Sequence, residues 1–298
     1  MSRTATLAYD DPILRVAPYF TVEDAELDPQ PALLPVGWEA ATEYHRLKKT
    51  LGPGLKRVEA RDAAVAAVLE RARGVLRHQN RPMVTEALAF QDAPDGELDL
   101  DASLDGRRPE GWRAEDVVVT RRRPWRADLL LVCDLSLSMT GEKLALLAVA
   151  AAVMALTVPV EDLGLVVFDT AAHTLKPLGE RLPPREFVRR LLDVPAQGYT
   201  CMEEGLKAGL GALRAARAAE RAAILISDGV YNVGWDPRPL APRFPHLHVI
   251  KIGSGDKDKG LCRDLADAGR GRLVIAEGYE DLPEVTHRLI RSLVRGRG

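Results

Sequence analysis

Residues 129–141 read Leu-Leu-Leu-Val-Cys-Asp-Leu-Ser-Leu-Ser-Met-Thr-Gly. An apolar run, Leu129 to Cys133, stops at Asp134, and hydroxyls follow at alternate positions, Ser136 and Ser138. A short run of branched apolar side chains predicts a strand buried on both faces, as in a parallel sheet. In extended chain, residues i, i+2 and i+4 share one side. Asp134, Ser136 and Ser138 can therefore converge on one point where the chain leaves the strand.

From Asp128 onward the same rhythm repeats as strand, helix, strand, helix. Strands are expected at Leu129–Cys133, Leu163–Phe168, Ala223–Ser227, Leu247–Ile252 and Leu273–Ala276, with Thr174–Leu178 as an antiparallel edge strand. Helices are expected at Glu142–Thr157, Pro184–Val194, Met202–Glu220, Leu261–Ala268 and Leu282–Val294. The alternation predicts an α/β fold: a doubly wound, mostly parallel sheet with helices on both faces. Leu144 to Val160 carries no charge but is shorter than the ~20 apolar residues a bilayer needs. It is Ala-rich and contains Pro159, and it reads as a helix buried on most sides, not a membrane span.

Toward the N-terminus the pattern changes, and residues 1–115 read as a smaller, mainly helical region ahead of an α/β domain over 116–298. Prolines at 12, 18, 29, 31 and 35 forbid long helices and predict an extended arm over residues 1–36. Helices are expected over Gly37–Leu51, stopped by Gly52-Pro53-Gly54, then over Leu55–Arg77, and a short third one over Pro82–Phe90. An acidic block (Asp92, Asp95, Glu97, Asp99, Asp101, Asp105) is followed by a basic one from Arg107 to Arg126. The blocks read as a solvated linker whose charges neutralise each other, with a partner-docking surface as the alternative.

The chain has 298 residues, is 46% hydrophobic and carries a net charge of -2. That balance suits a chain with a sizeable core and favours neither nucleic acid nor an acidic membrane. Three cysteines without a C-x-x-C form neither a disulfide framework nor a zinc signature. With Asp10 and Asp11 where a secretory signal would be apolar, a reducing, cytoplasmic setting is expected. Cys133 reads as a core thiol, and His246 and His248 as strand-entry residues without a third metal ligand nearby.

In a doubly wound sheet, ligands bind beyond the carboxyl ends of the strands. Two more residues have that placement: Thr200, in the loop before the helix from Met202, and Asp228, which ends the strand Ala223–Ser227. Asp134, Ser136, Ser138, Thr200 and Asp228 then form a set of hard oxygen donors of low charge. Such a set is wrong for zinc or copper and right for Mg2+, with Mn2+ or Ca2+ as substitutes. Thr140 reads as a cap for the helix at Glu142.

The run D-L-S-L-S, then Thr200, then I-S-D-G resembles the metal-ion-dependent adhesion site of von Willebrand factor A (VWA) domains. The resemblance covers roughly residues 116–295. It implies that Ser136, Ser138 and Thr200 are direct or near-direct ligands and that Asp134 and Asp228 act through water or by orienting the others. It also implies one coordination position open to a partner's Asp or Glu carboxylate. Asp95 to Ala102, followed by R-R-R-P-W-R-A-D before the metal strand, looks like bacterial intracellular VWA proteins that work beside MoxR-type AAA+ ATPases. By that resemblance the chain is an adaptor in protein or metalloenzyme maturation.

Enzyme readings fare worse. Leu135 and Leu137 flank Ser136, so there is no G-x-S-x-G elbow, and no P-loop motif occurs. A metal-dependent phosphohydrolase using Asp134 would want D-x-D, and position 136 is Ser. A Ro-like VWA protein holding RNA would want a large basic helical-repeat region, which the short, Pro-rich N-terminal part does not supply. The expectation is a binding module, not an enzyme.

Overall fold

A computed structural model describes residues 39–48, 54–77, 83–105, 113–253 and 259–295, all within one compact unit, Pro35–Gly298. The arm expected over residues 1–36 lies outside the described residues. Helix α1 (Glu39–Leu47) and helix α2 (Leu55–Leu76) form where the helical pattern predicts. Ala60, Ala64, Val68 and Ala72 recur every fourth residue and are buried, so α2 presents a flat, small-residue face to its neighbours. It ends at Arg77 in the left-handed conformation, whose N–H returns to the carbonyls of Arg73 and Gly74.

The third helix does not exist. Met83–Ala89 is strand β1. Glu97–Leu98 is β2, Leu100–Asp105 is the short helix α3, and Val118–Pro124 is β3. β1 runs antiparallel to β3 from Met83↔Pro124 to Ala89↔Val118, and β2 lies on the other side of β3. Val84, Glu86 and Leu88 are half-buried while Met83, Thr85 and Ala87 are exposed, which is the period of a strand. The helical reading fails because the ladder partner is far along the chain.

The linker reading fails with it. Arg121, Arg122 and Arg123 stand on β3, and Arg123 pairs with Glu86 on β1 at 2.7 Å. Arg126 grips Asp162 with two hydrogen bonds of 2.6 Å. Asp99 accepts the Ala102 N–H at the start of α3. These members of the two blocks are used locally, not to neutralise each other.

The central sheet follows. Its elements are β4 (Asp128–Asp134), α4 (Glu142–Thr157), β5 (Leu163–Phe168), β6 (Ala172–Lys176), α5 (Pro184–Asp193), α6 (Met202–Ala212), β7 (Arg221–Ser227), β8 (Leu247–Ile252), α7 (Lys259–Ala268), β9 (Leu273–Ala276) and α8 (Leu282–Arg295). The strand order is β6-β5-β4-β7-β8-β9, parallel throughout except for the edge strand β6. This is the doubly wound sheet expected. The edge strand starts two residues earlier than predicted. Helix α6 stops at Ala212, short of Glu220, and one 3-10 turn follows over Leu213–Ala215. The cause lies outside the segment: Asp128 Oδ2 accepts the N–H groups of Arg217 (2.5 Å) and Ala218 (2.7 Å).

Alternate residues of β4 sort into two cores. Leu129, Leu131 and Cys133 pack with α4, α5, α8 and the N-terminal helices, while Leu130 and Val132 pack with α6 and α7. Each buried Leu or Val contributes about 1.5–3 kcal/mol relative to exposure. Helix α4 is buried on nearly every side, with Leu144–Ala155 all inaccessible or almost so. Its sheet-facing side meets the strands, and α1 and α2 cover the outer side. Lys48, just past α1, donates to the carbonyls of Leu192 (2.8 Å) and Val194 (2.5 Å) at the end of α5. Tyr44 donates to Asp193 at 2.6 Å, and burial, with that carboxylate, pushes its phenol up to about 12. Among the described residues no helix is long and apolar enough to cross a membrane.

Candidate metal centre

The chain leaves β4 toward β5 on one side and later returns to β7 on the other. The crest above β4 and β7 is therefore the point where the winding reverses. Cys133 lies opposite Ile226 in the β4–β7 ladder, so Asp134 and Ser227 emerge side by side. Ser227 Oγ donates to Asp134 Oδ2 at 3.0 Å, and the Ser136 N–H donates to Oδ1 at 2.9 Å. Ser136 Oγ and Ser138 Oγ lie 3.1 Å apart. Asp134, Ser136 and Ser138 do lie together, but not through extended chain as expected. Leu137–Met139 form a 3-10 turn, with the Met139 N–H donating to Ser136 O at 2.9 Å, and that turn folds Ser138 back to Ser136.

Backbone bonds tie the neighbouring loops to this turn. Leu135 N donates to Phe168 O (2.7 Å), Gln197 N to Leu135 O (3.1 Å) and Leu137 N to Gly198 O (3.2 Å). Thr200, two residues past Gly198, donates its N–H to Asn232 Oδ1 at 2.8 Å, and its carbonyl accepts the Asn232 N–H at 3.1 Å. Asp228 begins the loop that contains Asn232, and its Oδ1 accepts the Val230 N–H at 3.0 Å. The five predicted residues thus stand on three loops of one crest. Among the described residues, no hydrogen bond joins the Thr200 or Asp228 side chain to the Asp134–Ser136–Ser138 group.

Depth differs across the set. Asp134 is 1% exposed and Ser136 2%, whereas Ser138 opens to solvent and Asp228 is half-buried. Burial pushes the Asp134 carboxyl up to about 6, and the charge of Asp228 adds to the rise against the hydrogen bonds from Ser136 and Ser227. Among the described residues no lysine or arginine forms an ion pair with either carboxylate. A buried carboxylate is costly without a countercharge. A divalent cation at the crest would supply one, and the donor types present, hydroxyls and carboxylates, are those a hard cation takes. No group of three or more His, Cys, Asp or Glu that could hold a metal by themselves occurs among the described residues.

Three residues at the site escaped the sequence reading. Ser227 precedes Asp228 and orients Asp134. Asn232 fixes the Thr200 backbone. Tyr279, beyond β9, donates to Met139 Sδ at 3.4 Å, and Lys143 Nζ sits 4.9 Å from the centre of its ring. Burial, then the charges of Asp228 and Asp134, pushes the Tyr279 phenol up to about 12, which marks its nearness to both carboxylates. Ser227 was visible as the residue before the strand-terminal Asp. Tyr279 left no local signal, because the fold alone brings it to the crest.

Thr140 does not cap α4. The cap position is Gly141, at φ 69°, and no side chain bonds there. Cys133 is a buried core thiol, its pKa raised by burial. His246 and His248 stack with centroids 6.4 Å apart, and His248 Nδ1 accepts the Arg272 N–H at 3.1 Å, so both act as strand-entry groups.

The sheet order, the flanking helices and this crest define a von Willebrand factor A fold. The model of the family described as VWA domain containing CoxE-like protein matches residues 66–241, more than half of the chain, and the chain belongs to that family. Among solved structures, it is similar to proximal thread matrix protein 1 from the mussel byssus, at 22% identity and a TM-score of 0.48, over 55% of this chain and 47% of that one. A related crystal of that mussel protein, at 19% identity over 55% of this chain and 47% of that one (TM-score 0.48), is described as having a zinc-occupied MIDAS motif. A von Willebrand factor type A protein from Catenulispora acidiphila is 20% identical over 59% of this chain and 45% of that one, with a TM-score of 0.45. The chain thus spans about half the length of these structures. No curated protein matches the chain.

Proposed function

We propose that the crest is a metal-ion-dependent adhesion site and that the protein is a divalent-metal-dependent interaction module. The observation that carries this reading is the buried carboxylate of Asp134, which has no lysine or arginine ion pair among the described residues, next to the paired hydroxyls of Ser136 and Ser138. Ser136, Ser138 and Thr200 would hold the ion, most naturally Mg2+, with Asp134 and Asp228 orienting them or acting through water. A bound ion would supply a Lewis-acidic position for the Asp or Glu carboxylate of a protein partner. The chain's own residues do the rest: Ser227 and the Ser136 N–H fix the Asp134 carboxylate, and Asn232 holds the loop of Thr200.

The role assigned is binding and not catalysis. Ser136 Oγ faces another hydroxyl, and no hydrogen bond among the described residues brings it a histidine or lysine base. The family membership, with the charged segment before β4, supports an adaptor working with a MoxR-type AAA+ ATPase in the cytoplasm, in protein or metalloenzyme maturation. Nucleic acid has no part in this reading.

Affinity capture from native lysate, with magnesium and with EDTA, tests it. An AAA+ ATPase retained by the wild type in magnesium, and lost both in EDTA and with Asp134→Ala, is the expected result. The same partners recovered in EDTA would contradict it.

A further inference from the structure

The small sheet β1-β3-β2 carries opposite charge at its two ends. Ala89 lies opposite Val118 at one end of the β1–β3 ladder, and Met83 lies opposite Pro124 at the other. The chain leaves β1 at the first end and runs to the end of α3 through Asp92, Asp95, Glu97, Asp99, Asp101 and Asp105, with no lysine or arginine between them. Arg121, Arg122 and Arg123 stand toward the second end. Arg123 is paired with Glu86. Among the described residues Arg121, Arg122 and the six acids form no ion pair, and all of them except Asp99 are exposed.

The acidic end is held firmly. Ser103 Oγ donates to Asp99 O at 2.5 Å and accepts the Val118 N–H at 2.9 Å, which pins α3 to β3. A Cβ at Gly96 would meet the Val119 side chain at 2.9 Å, so only glycine lets the turn before β2 lie this close to β3. The outer edge of β1 is open, since among the described residues it pairs with β3 and no other strand. Charges and prolines are what usually keep a free edge from pairing. β1 has no proline and no lysine, and its one charge, Glu86, is already met by Arg123. Of the eleven large apolar side chains exposed among the described residues, Met83, Phe90, Leu98, Leu100 and Leu104 belong to this sheet and its loop. Two others lie at the start of α2 and four on the crest loops.

We propose that β1 pairs antiparallel with β1 of a second copy of this chain, about a two-fold axis, joining the two small sheets into one. A two-fold axis across that edge sets the acidic end of each sheet beside the arginine end of the other, so one favourable contact is made twice. A parallel pairing would set acid on acid and arginine on arginine. Glu86, at the middle of β1, would lie near the axis with Arg123 of its own copy as countercharge.

Sedimentation equilibrium of the full chain, in EDTA so that the crest takes no part, tests this pairing. A dimer is expected at low salt, weakened at least about tenfold at high salt. Arg121→Glu combined with Arg122→Glu should sediment as a monomer, and so should Asp92→Lys combined with Asp95→Lys, each with an unchanged circular dichroism spectrum. An equal mixture of the two variants restores opposite charge at both contacts and should form a heterodimer. A monomeric wild type, a dimer that either folded variant keeps, or a mixture that stays monomeric would overturn the proposal.

Discussion

Asp134 shows how a single side chain can be legible in kind and illegible in setting. Its position at the end of a buried strand followed from the apolar run before it. Its partner Ser227 came from a strand that is distant in sequence, and the near-complete burial came from loops that close over it. The consequence is a pH signature of the metal-free protein. The carboxyl titrates near 6 when folded and near 3.8 when free. The folded state therefore holds its proton longer, so this group's contribution is full below pH ~4 and is lost as pH rises through 6, by up to about 3 kcal/mol. His248 works the other way: burial lowers it to about 4, so its contribution is present above pH ~6.5 and is lost as pH falls toward 4. The two slopes overlap, and the difference between wild type and Asp134→Asn isolates the first. Urea unfolding in EDTA at pH 4.5 and 7.5 should show the variant gaining on the wild type at the higher pH. An identical pH dependence in both proteins would mean that Asp134 carries no such cost.

At the scale of elements, segments with a strong internal period were legible, while those decided by distant partners were not. The strands β4, β5, β7, β8 and β9 and the helices α2, α4, α5 and α8 announce themselves by branched runs or apolar stripes. β1 was misread as a helix because its ladder belongs to β3, and α6 ended early because Asp128 captures the N–H groups beyond it. Helix α4 was legible in an unusual way: its uniformly apolar surface demanded cover on both sides, and α2 supplies the outer cover. Val65, fully buried on α2, tests that packing. Val65→Asp would bury an unpaired charge and should cost several kcal/mol in urea unfolding. Arg123→Ala removes only the half-exposed pair with Glu86 and should cost under ~1 kcal/mol. Equal losses from the two would contradict the assignment of α2 to the core.

Across the whole molecule, the N-terminal helices and the α/β sheet share one hydrophobic core, from Ala64 and Val68 through α4 to Leu131. A fragment starting at Asp116 would uncover the outer side of α4 and is expected to aggregate. A monomeric fragment with a cooperative melt, seen by light scattering and calorimetry, would show that the cover is dispensable. At the crest, β4 and β7 deliver the carboxylates, and two loops, the turn after β4 and the loop before α6, deliver the hydroxyls. The central claim is that this crest takes up a divalent cation. Isothermal titration of the full chain with magnesium tests it most directly. One saturable site is expected in the wild type, lost in Asp134→Ala and weakened in Ser138→Ala, with both variants still folded. Magnesium uptake unchanged in folded Asp134→Ala, or none in the wild type, would contradict it.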